Sequence, residues 1–266
     1  MINKLLLFSL VTAFLLFFTA APAAAISIDD GYIGGNPTNV SWIGNDVIGS
    51  EAYFQISRME VTFATDGLTV DIYTRYLNNI GQYGTTPGDL FISTDGWHPE
   101  GPAPYNGDSF GKGEDWEYAL VMDNHQPLLS SAENRTGSAY LYRITDPGSQ
   151  IKLSWGRATD IYRANQEVQF IIPEGATPLA AGSWSVGNWG ASDADDYLRF
   201  AIDYPLLDLS RYGFHWTMSC GNDVIEGGVH TPEPGTLFLF GFGLLGLIAT
   251  AGRRAILIFV EGYIRR

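Results

Sequence analysis

Two stretches of this 266-residue chain concentrate side chains able to do chemistry. The first is the irregular run from Thr94 to Asp115. It mixes the aromatics Trp97 and Tyr105 with His98 and with the acids Asp95, Asp108, Glu114 and Asp115. Aromatic faces stack on sugar rings, and carboxylates hold hydroxyls or Ca²⁺ through oxygen. A loop this long inside a compact domain is usually functional or mobile, so a glycan-type ligand is one reading. The other is that the aromatics fold back onto the edge of the domain. The second stretch is Asp193, Asp195 and Asp196, within Gly190–Tyr197. Hard oxygen ligands at close spacing suit Ca²⁺, while a solvated turn before a strand explains the same residues without a ligand.

Other chemistries find no support. His98, His125, His215 and His230 are scattered, with no spacing that would build a zinc site. There is no Gly-x-Ser-x-Gly elbow for an acyl-transfer serine. Cys220 is the sole cysteine, so an internal disulfide is excluded. Its plain reading is a small buried side chain, and the alternative is an intermolecular or reactive thiol. Glu114, Glu117 and the Asp193 cluster could supply the paired carboxylates of a glycosidase, as could many acidic β-domains. No catalytic residue is therefore predicted, and a polysaccharide-active hydrolase stands as an alternative.

The elements that must carry these residues are strands. Leu68, Val70, Ile72 and Thr74 alternate with Thr69, Asp71 and Tyr73, and Met59, Val61 and Phe63 alternate with Glu60 and Thr62. This is the two-residue period of a half-buried strand. Asp66-Gly67 between the runs predicts a tight hairpin with positive φ. The phase changes between Ile56 and Met59, where a bulge would keep both halves facing inward. Further strands are expected over Asp89–Ser93, Trp116–Met122, Ala139–Thr145, Val168–Ile172, Ser183–Asn188, Tyr197–Ile202 and Phe214–Met218, with a short helix near Tyr204–Ser210. Phe214–Met218 reads as the last strand, and Asn222-Asp223 as a turn leading away from the domain. So many short strands separated by Gly, Pro, Asn and Asp clusters predict an all-β fold, an antiparallel β-sandwich of jelly-roll type.

The two ends differ from the middle. Lys4, an apolar run over Leu5–Ala20 and small residues at Ala21–Ala25 predict a signal peptide over 1–25. Near the other end stands Thr231-Pro-Glu-Pro-Gly-Thr, followed by the uncharged run Leu237–Ala251 and then Arg253-Arg254. The prolines keep the triplet extended, and paired arginines favour the cytoplasmic side of a bilayer. This order resembles the PEP-CTERM sorting signal of Gram-negative bacteria. The resemblance implies that Pro232, Glu233 and Pro234 are recognised by an exosortase. It implies too that a transmembrane helix over the apolar run holds the chain in the inner membrane, and that Arg253 and Arg254 stop it. The segments Asp89–Trp97, Trp116–Met122 and Tyr212–Gly228 look similar to exported domains of the same group.

The expected organisation is thus a signal peptide at 1–25, an exported domain at 26–230, a sorting signal at 231–254 and an atypical tail at 255–266. The formal charge is −14, and Lys4, Arg253, Arg254, Arg265 and Arg266 all lie outside the exported domain, which is therefore more acidic still. That argues against nucleic acid as a partner. The expectation is an exported protein, anchored in the inner membrane during sorting and then placed at the cell surface or in the extracellular matrix. Exopolysaccharide or another glycan is the expected partner and Ca²⁺ the candidate ion. A self-associating matrix protein is the third possibility.

Overall fold

A computed structural model describes residues 25–38, 40–64, 67–81, 84–126, 135–156, 162–188, 190, 196–204, 211–230, 241 and 243. The chain forms two compact units, Met1–Val229 and His230–Arg266, and the fold below is that of the first. Its strands in chain order are β1 (Ala25–Asp29), β2 (Asn36–Pro37), β3 (Ile56–Phe63), β4 (Leu68–Thr74), β5 (Leu90–Ser93), β6 (Tyr118–Met122) and β7 (Thr136–Arg143). There follow β8 (Ile151–Leu153), β9 (Arg163–Ala164), β10 (Glu167–Phe170), β11 (Ala180–Gly187), β12 (Tyr197–Ile202), β13 (Arg211–Thr217) and β14 (Val224–His230).

Ten of these make one sheet in the order β1-β3-β4-β12-β11-β7-β6-β5-β13-β14. The sheet curls until its two edges meet, giving a nearly closed barrel. At the seam a Cβ built on Gly227 of β14 would lie 2.5 Å from Cγ2 of Ile28 on β1. Only glycine lets the strands approach that closely. The all-β antiparallel expectation holds, but the architecture is one curled sheet rather than two facing ones. Alternation along each strand is the same in both cases, so the period could not separate them.

The strand positions follow the alternation read above. Ile72, Val70 and Leu68 point into the barrel with Met59 and Val61, as do Leu198, Phe200, Ile202, Phe214, Trp216 and Met218. The phase change before Met59 is a register shift between Ile56 and Arg58. The β3–β4 hairpin closes with mutual backbone bonds between Ala64 and Gly67, and Asp66 lies outside the described residues. Gly67 itself has no positive φ. It serves close approach instead, since a Cβ there would lie 2.5 Å from the Ile202 carbonyl oxygen. β14 was read as an exit from the domain and is a full barrel strand, with Asn222-Asp223 in the turn that precedes it. The helix expected near Tyr204–Ser210 falls almost wholly outside the described residues.

A second, smaller core covers the outer face of β5, β6 and β7. There Phe91, Trp116, Ala119, Val121 and Tyr142 meet Ile151 and Phe170 from the β8–β10 pair. Asp89 ties the layers together: one carboxylate oxygen accepts from Met122 N (3.0 Å) and His125 Nε2 (2.7 Å), the other from Phe170 N (2.8 Å). Asp89→Asn keeps the shape but turns one acceptor into a donor facing an N–H. A loss of about 2 kcal/mol in urea unfolding is expected, and an unchanged midpoint would refute the role.

Cys220 is buried in the main core, and burial pushes its thiol up to about 12. Such a thiol is packed and unreactive at neutral pH, in line with the plain reading of this residue.

Candidate functional site: a buried carboxyl cluster under the Thr94–Asp115 strap

The long irregular run lies as a strap over the outer face of β13 and β14. Its aromatics serve to hold it there. Trp97 donates from Nε1 to Oε1 of Glu226 on β14 (2.9 Å) and meets Tyr105 edge-on (centroids 5.1 Å apart). Tyr105 in turn stacks on Tyr32 at 6.3 Å, and Phe110 packs against the second core. Trp97 and Tyr105 are half-buried. The fold-back reading of this loop therefore describes the structure, and the indole N–H that could meet a sugar is already used.

The predicted residues divide into two groups. Asp95, His98 and Asp115 are exposed. Asp95 accepts from Ser93 Oγ at 2.6 Å, and the His98 ring faces the Asp95 carbonyl at 3.2 Å. Glu117 does not join Glu114, because its carboxylate accepts from Thr94 N at 2.7 Å. Asp108 and Glu114, by contrast, turn inward and are buried. With Glu226 they form a trio whose oxygens all lie within 4.8 Å of one another.

The trio sits in a network of partners. Tyr32 donates its hydroxyl to Asp108 at 3.2 Å, and the backbone N–H of His98 donates to Glu114. His215 on β13 places Nδ1 2.8 Å from Glu226 Oε2 and Nε2 2.7 Å from the carbonyl of Glu167. A carbonyl can only accept, so Nε2 carries a proton. In a neutral imidazole Nδ1 is then bare, and the proton between it and Glu226 belongs to the carboxyl. Energetics agree. Burial lowers His215, and burial together with the charge of Asp108 pushes Glu226 up to about 8, against the bond from Trp97. Burial, then the charge of Glu226, pushes Glu114 up to about 8. Burial raises Glu167 to about 7 in spite of His215.

The space these groups enclose, also lined by Lys112 and Trp116, is too tight to take up a sugar ring. The arrangement can hold protons or a hard cation between carboxyls. Its buried carboxyl oxygens, all within 4.8 Å of one another, face each other rather than standing apart across a glycosidic bond. Glu167 and His215 carry no signal in the sequence, because each alternates with apolar neighbours as a solvent-facing strand residue would, and Glu226 lies beside two glycines in a stretch without a strand pattern.

Trp97→Phe keeps the ring and removes the bond to Glu226. A loss of about 1–2 kcal/mol is expected, with faster proteolysis in the strap. Unchanged cleavage there would count against the strap being held this way.

Of the Ca²⁺ site expected at Asp193, Asp195 and Asp196, Asp196 is among the described residues. Asp193 and Asp195 lie outside the described residues. Asp196 is fully buried, its Oδ2 accepting from Asn78 Nδ2 at 2.9 Å and its carbonyl from Thr74 N at 3.1 Å. That is how a structural residue ahead of β12 is held.

A second trio lies among the described residues: Asp30, Asp46 and Asp223, whose oxygens also converge within 4.8 Å. The guanidinium of Arg163 lies beside it but donates to main-chain carbonyls. Nε reaches Gly221 (3.2 Å), Nη1 reaches Ile33 and Gly34 (3.1 and 2.9 Å), and Nη2 reaches Asn45 and Asp46 (3.0 and 2.6 Å).

Pro232, Glu233, Pro234, Arg253 and Arg254 lie outside the described residues, as does nearly all of the Leu237–Ala251 run. Among the described residues no helix is long and apolar enough to cross a membrane. No curated protein and no solved structure matches the chain. Residues 230–254 match the PEP-CTERM protein-sorting motif, a motif that implies processing by an exosortase.

Proposed function

We propose that the chain is a non-enzymatic protein of the extracellular polysaccharide layer. In this reading the apolar run Leu237–Ala251 holds it in the inner membrane until exosortase acts at Pro232-Glu233-Pro234. The observation that carries the reading is the sorting motif, which starts at the last residue of β14. Support comes from the acidic groups of the barrel. Asp108, Glu114 and Glu226 are buried under the strap, and Asp30, Asp46 and Asp223 converge beside Arg163, so these carboxyls face one another.

The test has two arms. Alanine at Pro232, Glu233 and Pro234 together should leave full-length protein in the membrane fraction and remove the surface form. Surface protein at wild-type level would refute the sorting step. In the second arm, the released form is sedimented with the host's own exopolysaccharide, with Ca²⁺ and with chelator. Co-sedimentation supports the matrix role, and its absence under both conditions refutes it. Binding lost on chelation brings Ca²⁺ into the interface. Glu226→Gln then asks whether Asp108, Glu114 and Glu226 hold the ion.

A second reading, self-association, is favoured by one observation. Ile171, Ile172 and Leu179, all on the connection between β10 and β11, are 49, 47 and 45% exposed. Sedimentation velocity of Ile172→Ser against wild type would separate this reading from the first. An intermolecular disulfide through the buried Cys220 would first require the barrel to open.

A further inference from the structure

We propose that the barrel turns one defined end toward the lipid bilayer while it is being sorted. That end carries the start of β1, the β3–β4 turn, the exit of β5 and the last residues of β14. The inference rests on the proposed membrane hold of the Leu237–Ala251 run.

The argument is one of parity. In an antiparallel sheet each strand runs opposite to its neighbour, so a curled sheet with an even number of strands brings its first and last strands together antiparallel. Here the sheet has ten. Side chains at the β13–β14 hairpin agree: His215 reaches Glu226, and Thr217 bonds the Asp223 carbonyl. Across the seam Ile28 meets Gly227. Counting outward in opposite directions brings Ala25 level with the last residues of β14. The start of the first strand and the end of the last strand therefore share one end of the barrel.

That end is where the chain leaves for the sorting motif. The motif begins at residue 230 and β14 ends at His230, so no spacer separates them. At ~3.5 Å per extended residue, the seven residues from His230 to the start of the apolar run at Leu237 can reach ~25 Å at most. The expected signal peptide ends at Ala25, the first residue of β1, so it too would leave from this end. The same alternation puts the turn at Ala64–Gly67 and the start of β13 at Arg211 on this side. It puts the connection through Glu51, the exit of β6 at Asn124 and the turn before Asp223 on the far side. A barrel tethered by so short a link has one end against the headgroups and the other exposed to whatever lies outside.

The test uses the full chain carrying Cys220→Ser, in membranes of a host lacking exosortase. Single cysteines are placed at the exposed positions Ala64 and Arg211 on the near end and Glu51 and Asn124 on the far end. Each is labelled with a bulky, membrane-impermeant maleimide, before and after detergent extraction. Labelling of Ala64→Cys and Arg211→Cys should be several-fold slower in membranes than in detergent, and that of Glu51→Cys and Asn124→Cys unchanged. Equal behaviour at all four sites in membrane-held protein overturns the inference alone. Absence of the protein from the membrane fraction overturns the anchoring reading and the inference with it.

Discussion

Replacing Arg163 with alanine is expected to leave little or no folded protein. The side chain is 2% exposed, and its guanidinium donates to the carbonyls of five residues. These belong to the segments after β1, before β3 and in the β13–β14 turn, which have no regular pairing with one another. Its own backbone N–H donates to the Cys220 carbonyl at 3.1 Å. Removing the side chain strands several buried acceptors at once. It also removes the cation whose charge favours ionised Asp30, Asp46 and Asp223. That environment already raises the acids: burial and then the charge of Asp46 push Asp30 up to about 8, and burial and the charge of Asp30 raise Asp223 strongly. Breaking a buried charged network of this kind costs on the order of 3–5 kcal/mol, comparable to the whole stability of many domains. Arg163→Lys keeps the charge but cannot span three segments, so most of the loss should remain. Urea unfolding of both variants decides it. A wild-type midpoint for the lysine variant would mean that charge, not the five-way bond pattern, is what matters.

The second large effect is a fall in stability between about pH 6.5 and 9. Glu114 and Glu226 are pushed up to about 8 and Glu167 to about 7. Unfolded, all three titrate near ~4.3. The folded state therefore binds more protons than the unfolded state across this range. Stability is full below the unfolded value and is lost as pH rises through the folded values. Asp30 acts in the same direction. His215, lowered by burial, acts oppositely but only below its ordinary value of ~6.5, which is why the window starts there. The groups facing the cluster are Tyr32 beside the strap, Asp108, Lys112 and Glu114 on it, and Glu167, His215 and Glu226 on the strands. They titrate as a set, so their shifts do not add. At about 1.4 kcal/mol per unit, a total of a few kcal/mol is expected. Thermal unfolding followed from pH 6.5 to 9 should give a steadily falling midpoint, with a shallower fall in Glu226→Gln. A flat profile would show that the carboxyls are ionised throughout. Ca²⁺ bound among them would reduce the fall, and chelator would restore it.

Much of the barrel was legible in the residues. Leu68–Thr74, Tyr197–Ile202 and Phe214–Met218 alternate cleanly because one face of each strand is buried, and burial is what the two-residue period records. The register shift before Met59 was visible as a break in that period. Val224–His230 was not recognised as a strand, since Glu226-Gly227-Gly228 carries neither β-branched nor aromatic residues. The two glycines are there because of neighbours far along the chain. Gly227 makes room for Ile28, and a Cβ on Gly228 would lie 3.0 Å from that of Trp97.

The strap shows the same division. Its length and its mix of aromatics and acids marked it as unusual, and Asp108 and Glu114 were among the residues chosen. Of their partners, Glu167 and His215 lie where an alternating polar residue looks solvated, and Glu226 lies in the stretch that showed no strand pattern. Only the fold of the strap onto that face buries them. Arg163 gave no local signal either, because every carbonyl it holds belongs to another part of the chain.

By itself, the sequence determined the class of fold, most strand positions and the sorting address. Each of these is written in contiguous residues: a period, a turn or a motif. The tertiary structure alone decided that the strands form one curled sheet and that acids distant in the chain converge. It also decided that both edge strands share an end. These depend on which strand pairs with which across the barrel, and pairing partners leave no mark in the local spacing of either strand.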